Sequence, residues 1–233
     1  MVIIGKEMPF HIKALKDQSK QHFPFNKSIP RPVEGGFRLG IFGASGSGKS
    51  VLLLNLLLEY RKYMRKFVIW APNLRQYKRH FMKKFTKHDV AYEQFRESDL
   101  KHHYEKAVAR NRKRPKRVTP VVFVFDDQIT MLAKSPYFQS IMLTARKENI
   151  NLVFTAHKYS FAPPIIRQNL TDTVLMTTNK LELGLLASYL GIEREDLINA
   201  WADSGADEKF AFLHLTQDPA AVFFKFTDKK LIG

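Results

Sequence analysis

The sequence predicts an α/β domain in which a mostly parallel sheet lies between helices and ends in an antiparallel hairpin at one edge. Strand-like apolar runs alternate with helical runs from residue 37 onward, which is typical of a parallel sheet covered on both faces. The run at 118–127, VTPVVFVFDD, is continuous and rich in β-branched and aromatic residues, as in a strand buried on both sides. Two alternating apolar runs around an Asp-Pro pair, within 209–226, predict the edge hairpin.

Length and composition suit a single domain. The chain has 233 residues, 45% of them hydrophobic, which is enough for one α/β core. We expect an irregular lead-in over the proline-containing residues 1–36 and one domain over 37–233. Cysteine is absent, which excludes disulfides and thiolate metal sites. Apolar runs are too short to span a bilayer and no secretory signal is evident, so we expect a soluble, intracellular protein without a membrane segment.

The predicted elements follow one another in chain order. A strand at 37–42 leads through a loop of small residues into a helix at 50–65, and a second strand at 66–72 ends at a proline. Residues 73–112 are polar, and we expect them to be helical. The remaining predictions are a strand at 118–127, a helix at 135–147, strands at 151–157 and 171–177, and helices at 180–190 and 193–203.

The loop between the first strand and the first helix has the spacing G-x-x-x-x-G-K-S of a phosphate-binding P-loop. Small residues let successive backbone N–H groups turn inward around an anion, and the helix that follows adds the partial positive charge of its N-terminus. A lysine then reaches the β- and γ-phosphates, and a serine hydroxyl ligates Mg²⁺. The predicted ATP-binding residues are Gly43, Ala44, Ser45, Gly46, Ser47, Gly48, Lys49 and Ser50. The alternative is a Gly/Ser-rich turn without function.

Two carboxylates, Asp126 and Asp127, come directly after the VVFVF strand. The carboxyl ends of strands in an open α/β sheet are where ligand crevices lie. We expect Asp126 to hold Mg²⁺ together with Ser50, and Asp127 to act as the general base that polarises an attacking water. A helix cap or a simple turn after the strand is the alternative.

The positive charge is unevenly distributed. Residues 60–120 contain 19 Lys and Arg against 5 Asp and Glu, a net charge of +14 out of +16 for the whole chain. Within this region the run RNRKRPKR at 110–117 has six basic side chains in eight residues. We expect a basic, partly mobile region that contacts nucleic-acid phosphates, and the alternatives are a solvated charge run or a nuclear-localisation signal.

These motifs together resemble those of the FtsK–HerA superfamily of P-loop ATPases. More narrowly, the chain is similar to the genome-packaging ATPases of large double-stranded DNA viruses and their smaller relatives. The resemblance covers about residues 37–180 and is carried by GASGSGKS, VFVFDD, and TARKENINLVFTAH followed by IIRQNLTDTVLM.

The resemblance implies a strand order and two further site residues. It places the strand at 151–156 between the P-loop strand and the strand before Asp126, so that His157 lies beside the γ-phosphate. The family often has Gln at that position, and a strand-end His with a purely structural role is the alternative. Arg146 matches the arginine that relatives insert into a neighbouring subunit's site, with Arg167 as the rival and a surface arginine as the alternative.

The resemblance implies an ATP- and Mg²⁺-dependent translocase that packages double-stranded viral DNA into a capsid. The partners it implies are DNA bound without sequence specificity, further copies of the chain in a ring, and a capsid or portal protein. The place of action would be the viral assembly site in the host cytoplasm or nucleus, or the virion. The rival functions are a small-molecule kinase for nucleotides and a nucleotide-gated DNA-binding protein.

Overall fold

The computed structural model of the chain describes residues 9–12, 23–26, 36–113, 120–176, 178–191, 193–203, 212–216 and 222–226. The strands are β1 Pro9–Ile12, β2 Phe23–Asn26, β3 Arg38–Phe42, β4 Lys66–Trp70, β5 Val90–Tyr92, β6 Val121–Phe125, β7 Ile150–Ala156, β8 Asp172–Leu175, β9 Phe212–Thr216 and β10 Val222–Phe226. The α-helices are α1 Lys49–Tyr60, α2 Arg75–His80, α3 Glu97–Lys113, α4 Ile129–Ala133, α5 Pro136–Thr144, α6 Pro164–Arg167, α7 Lys180–Leu190 and α8 Arg194–Asp203. Short 3₁₀ turns cover Met82–Lys84 and Tyr159–Phe161.

One large sheet organises the domain. Its strand order is β10-β9-β8-β3-β7-β6-β4-β5, and every pair from β8 to β5 is parallel. Strand β9 runs antiparallel to β8 and to β10, which forms the hairpin at one edge. The predicted fold class is therefore confirmed, and β7 lies between β3 and β6 as the resemblance implied. A separate pair of short antiparallel strands, β1 and β2, lies in the N-terminal segment.

The central strands form both faces of the core. Every residue of β3, β6 and β7 is buried, as expected for strands with helices on both sides. On one face, the rings of Trp70, Phe125 and Phe154 stack across three neighbouring strands, with centroids 4.9 and 5.5 Å apart. On the other face, the leucines of α1 pack against the sheet. This packing makes the sheet a rigid support for the loops at its ends.

The parallel strands give the sheet two functionally different ends. We call the end at which β3, β4, β6, β7 and β8 finish the carboxyl edge, and the opposite end the amino edge. The carboxyl edge carries residues 43–48, 71–74, 126–128, 157–158 and 176, 178 and 179 of the connections.

Two predicted elements differ from the structure. Helix α1 ends at Tyr60 rather than near residue 65, because the chain then tightens into turns in which the N–H groups of Lys62 and Tyr63 donate to carbonyls three residues back. The stretch 73–112 is not helical throughout. It holds α2, a 3₁₀ turn, strand β5 and most of α3, and β5 extends the sheet by pairing with β4.

Candidate active site

The loop at 43–48 leaves β3 at the carboxyl edge and enters α1 directly. Gly46 and Gly48 have φ angles of 79° and 97°, a left-handed conformation that favours glycine. Gly48 is the residue before α1, and no side chain of the described residues caps that helix N-terminus. The first N–H groups of α1 therefore have no partner within the helix, and their arrangement suits an anion.

Lys49 lies in the first turn of α1, and its ammonium group bridges the loop. Its Nζ donates to the carbonyl oxygens of Gly43 at 2.7 Å and Ala44 at 3.0 Å. The side chain is buried, and burial lowers the pKa of Lys49, although the carboxylates of Asp127 and Asp126 oppose that effect. The loop thus holds the ammonium group of Lys49 against its own carbonyl oxygens.

Asp126 is the first residue after β6, and both of its carboxylate oxygens accept hydrogen bonds. The Thr155 hydroxyl donates to Oδ1 at 2.5 Å, and the Tyr77 hydroxyl donates to Oδ2 at 2.8 Å. Its backbone N–H donates to the Trp70 carbonyl at 2.8 Å. Burial raises the pKa of Asp126, while the two hydroxyl donors and Lys49 act in the opposite direction. The carboxylate is therefore fixed in orientation beside the loop.

The residues present fit a magnesium ion that arrives with a nucleotide. Asp126 and Ser50 supply the oxygen ligands that Mg²⁺ prefers, and Mg²⁺ usually takes its remaining ligands from phosphates and water. Among the described residues, no group of three or more His, Cys, Asp or Glu side chains could hold a metal alone. The buried hydroxyl of Ser47 has no hydrogen-bond partner within the described part of the chain, and its place in the loop suits a phosphate oxygen.

Asp127 and His157 lie side by side at the same edge. Asp127 has a φ of 50°, so the chain turns sharply after β6, and its N–H donates to the Thr155 hydroxyl at 3.0 Å. Its Oδ2 is 3.9 Å from His157 Nε2, and both side chains reach solvent, with 35% and 49% exposed. His157 also lines a cavity of about 330 Å³ together with Gly43, Ala44 and Ser45. His157 therefore faces the space beside the loop, and both side chains of the pair are open to water.

Arg146 lies at the amino edge, away from the phosphate loop. Its carbonyl accepts the N–H of Gly36 at 3.1 Å, and Gly36 precedes β3, whereas the loop follows β3. Since β3 has five residues, the two ends are roughly 17 Å apart. The Arg146 side chain is exposed. Arg146 therefore does not belong to the site of its own chain.

The rival arginine, Arg167, is engaged within the chain. Its guanidinium donates to the Ser160 carbonyl at 3.2 Å and to the Tyr189 hydroxyl at 3.1 Å. It also lies over the rings of Tyr159 and Tyr189, at 5.8 and 5.0 Å from their centroids. Arg167 thus ties α6 to α7.

The basic region is described up to residue 113 and from residue 120. Its charged side chains are mostly on the surface, and Arg112 contacts Glu148, which fastens the end of α3 to the turn before β7. The rest of the run at 110–117, from residue 114, lies outside the described residues. In the part of the chain that the structure covers, no helix is long and apolar enough to cross a membrane.

Thr155 and Tyr77 touch Asp126, and the sequence reasoning missed both. Thr155 is the one hydroxyl residue in the apolar run LVFTA of β7, which was a usable signal. Its hydroxyl joins the N–H of Asp127 to the carboxylate of Asp126. Tyr77 lies 49 residues before Asp126 in a polar stretch, and nothing local to it indicates the contact.

Comparisons with known proteins agree with this geometry. A family model described as Poxvirus A32 protein matches residues 23–203. Among solved structures, the genome packaging NTPase B204 of Sulfolobus turreted icosahedral virus 2, in complex with ATP-gammaS, is 14% identical with a TM-score of 0.62. The match covers 87% of this chain and all of B204. A comparison with curated proteins finds no match.

Two further structures share the fold. B204, the DNA-packaging ATPase of Sulfolobus turreted icosahedral virus, is 16% identical with a TM-score of 0.59, and the match covers 84% of this chain and 98% of B204. EssC (ATPases 2 and 3) of Geobacillus thermodenitrificans is 16% identical with a TM-score of 0.55, over 99% of this chain and 47% of EssC. The resemblance to FtsK–HerA P-loop ATPases is thus confirmed, and the chain belongs to the poxvirus A32 protein family.

Proposed function

We propose that this P-loop ATPase is a translocase that uses ATP hydrolysis to package double-stranded viral DNA into a capsid. The observation that carries the proposal is the meeting of the phosphate loop, Asp126 and Asp127 at one sheet edge, in a chain of the A32 family. The B204 proteins, which have the same fold, are described as a genome packaging NTPase and a DNA-packaging ATPase. The action would take place at the viral assembly site, with a capsid or portal protein as further partner.

In this proposal the loop binds the ATP phosphates and the acidic pair supports hydrolysis. Lys49 leaves the carbonyls of Gly43 and Ala44 and neutralises the β- and γ-phosphates. Ser50 and Asp126 would hold Mg²⁺, and the ion would supply positive charge for the phosphate oxygens. Asp127 orients a water and accepts its proton, and its solvent access supports that role. His157, at 3.9 Å from Asp127, would donate to phosphate or to that water.

The site would be completed by a second copy of the chain. In a head-to-tail ring, one subunit presents its carboxyl edge to the amino edge of the next. Arg146 is exposed at the amino edge and lies beyond reach of its own loop, which suits a finger that acts on the neighbour. The contacts of Arg167 with Ser160 and Tyr189 favour a structural role for that rival.

DNA would be held through its phosphates by the basic region at 60–120. Its net charge of +14 supplies affinity without sequence specificity, because phosphate contacts are the same on every sequence. The binding should weaken steeply as salt is added.

Phosphate release, measured against protein concentration with and without duplex DNA, tests the proposal. We expect the rate per subunit to rise with concentration as rings form and to rise again when DNA is added. A nucleotide kinase would instead transfer phosphate to a nucleoside monophosphate, with little release to water. A slow rate that is insensitive to both concentration and DNA would contradict the translocase and favour a nucleotide-gated DNA-binding protein.

A further inference from the structure

We propose that α2 couples DNA to the active site: its exposed basic face contacts the DNA backbone, and its buried Tyr77 positions Asp126. This rests on the proposed function, since it names the element through which DNA would stimulate hydrolysis. Tyr77 is a positioning residue in this proposal, because it acts through Asp126 and does not contact the nucleotide.

Tyr77 contacts Asp126 through its hydroxyl group. The Tyr77 hydroxyl donates to Asp126 Oδ2 at 2.8 Å, and Tyr77 is only 1% exposed. Thr155 holds the other oxygen at 2.5 Å. Asp126 is therefore oriented by one hydroxyl from the sheet and one from α2.

Helix α2 follows closely after the end of strand β4. Strand β4 ends at Trp70, whose carbonyl accepts the N–H of Asp126, and α2 begins five residues later. The helix therefore lies at the carboxyl edge, where its Tyr77 reaches Asp126 at the end of the neighbouring strand β6. It is anchored by its buried side, where Leu74 and Phe81 flank Tyr77 and pack into the core.

The opposite face of α2 is exposed and basic. Arg75, Gln76, Lys78 and Arg79 are all exposed, and residues 75–87 contain six Lys and Arg but no Asp or Glu. Lys83, Lys84 and Lys87 in the following turn are exposed as well. A short segment with only positive charges, adjacent to the site, fits a polyanion, and double-stranded DNA is the polyanion that the proposed function supplies.

Helix α2 has only six residues, and in this proposal it shifts as a unit. A ligand shifts an equilibrium only through different affinities for two states, and DNA would prefer the α2 position in which the basic face meets the backbone. We infer that this position is the one in which Tyr77 holds Asp126 for Mg²⁺. DNA would thereby stabilise the orientation of the Asp126 carboxylate that binds Mg²⁺.

Tyr77→Phe tests the coupling between DNA and Asp126, because it removes only the hydroxyl group that contacts Asp126. We expect unchanged DNA affinity and loss of most of the DNA stimulation, because the DNA-stimulated rate should fall more than the DNA-free rate. We also expect weaker Mg²⁺-dependent binding of a fluorescent ATP analogue in the presence of DNA. Tyr60→Phe is the matched control, since Tyr60 is similarly buried and, among the residues that the structure describes, its hydroxyl has no hydrogen-bond partner.

Arg75→Gln combined with Lys78→Gln tests the DNA face. We expect weaker binding of a duplex at every sequence and a salt slope smaller by about two. Lys134→Gln combined with Lys147→Gln removes the same charge from exposed positions elsewhere and should leave the slope unchanged.

The results of these experiments distinguish a failure of the coupling by α2 from a failure of the proposed translocase function. If wild type is stimulated by DNA and Tyr77→Phe is stimulated equally, or if the Arg75 and Lys78 changes leave the salt slope intact, the coupling by α2 is wrong and the translocase stands. If wild type neither binds duplex DNA nor responds to it, the proposed function itself fails.

Discussion

Two aspartate–histidine pairs in the same sheet show how position separates structure from chemistry. At the carboxyl edge, His157 Nε2 is 3.9 Å from Asp127 Oδ2, and the side chains are 49% and 35% exposed. In the other pair, His214 Nε2 is 2.9 Å from Asp172 Oδ1, and the side chains are 0% and 5% exposed. Asp172 is the first residue of β8 and also accepts from the Thr171 hydroxyl at 2.7 Å.

The comparison teaches that residue type alone does not mark a site. The buried pair joins the antiparallel hairpin to the parallel sheet, and its hydrogen bonds offset the cost of burying polar groups. The open pair is loosely spaced, faces water and lies beside the phosphate loop. We therefore expect changes at the carboxyl edge to affect turnover, and changes at the buried pair to affect stability.

The largest effect is expected for Lys49→Ala. The change removes the cation that now bridges Gly43 and Ala44, so nucleotide binding weakens and hydrolysis falls below detection. Phosphate release and binding of a fluorescent ATP analogue measure the two effects. A variant with near-normal turnover would rule out the phosphate-loop assignment.

The next largest effect is expected for Asp127→Asn, which changes the open pair at the carboxyl edge. The amide cannot accept a proton, so turnover should fall by on the order of 10²–10⁴ while Mg·ATP binding is retained. Single-turnover hydrolysis and equilibrium nucleotide binding separate the two quantities. Loss of binding together with turnover would make Asp127 a metal-site or structural residue.

Asp172→Ala is the counterpart on the structural side. It leaves the buried His214 without its 2.9 Å partner, so the free energy of unfolding should fall by about 1–3 kcal/mol. Urea denaturation measures this loss. The rate per folded molecule should match wild type, and a large loss of rate at full folding would break the proposed division between the pairs.

The smallest effect is expected from pH. Burial, followed by the charges of Lys66, His102 and Lys106, lowers the pKa of His103 to about 4. Between pH 6.5 and 4 the unfolded state therefore takes up a proton that the folded state does not, and stability falls as the pH falls through this window.

Thermal melts at pH 7 and 5 measure this effect, and His103→Gln is the comparison variant. Its stability should depend less on pH over this window than that of wild type. Equal pH dependence in the two proteins would show that another group titrates.

Local patterns were sufficient to predict much of the sheet and the phosphate loop. The run VVFVF and the spacing from Gly43 to Ser50 each state their structure within a few residues. Strand β5 was missed because it is a three-residue edge strand, half-buried, whose pairing with β4 decides its conformation. The Tyr77–Asp126 contact was missed because 49 residues separate its partners, and only the folded sheet brings them together.

We propose that the active site at one subunit's carboxyl edge is completed by Arg146 from the amino edge of another subunit. Arg146→Ala keeps an intact phosphate loop, and Lys49→Ala keeps an intact finger, so each variant alone should be inactive. An arginine finger contributes roughly 10³–10⁵ in rate.

Phosphate release from a mixture of the two variants is the direct test, with mixed oligomers verified by differently tagged subunits. We predict partial recovery of activity, because some interfaces then pair an intact finger with an intact loop. A mixture that stays inactive although mixed oligomers form, together with normal hydrolysis by Arg146→Ala alone, would contradict the claim.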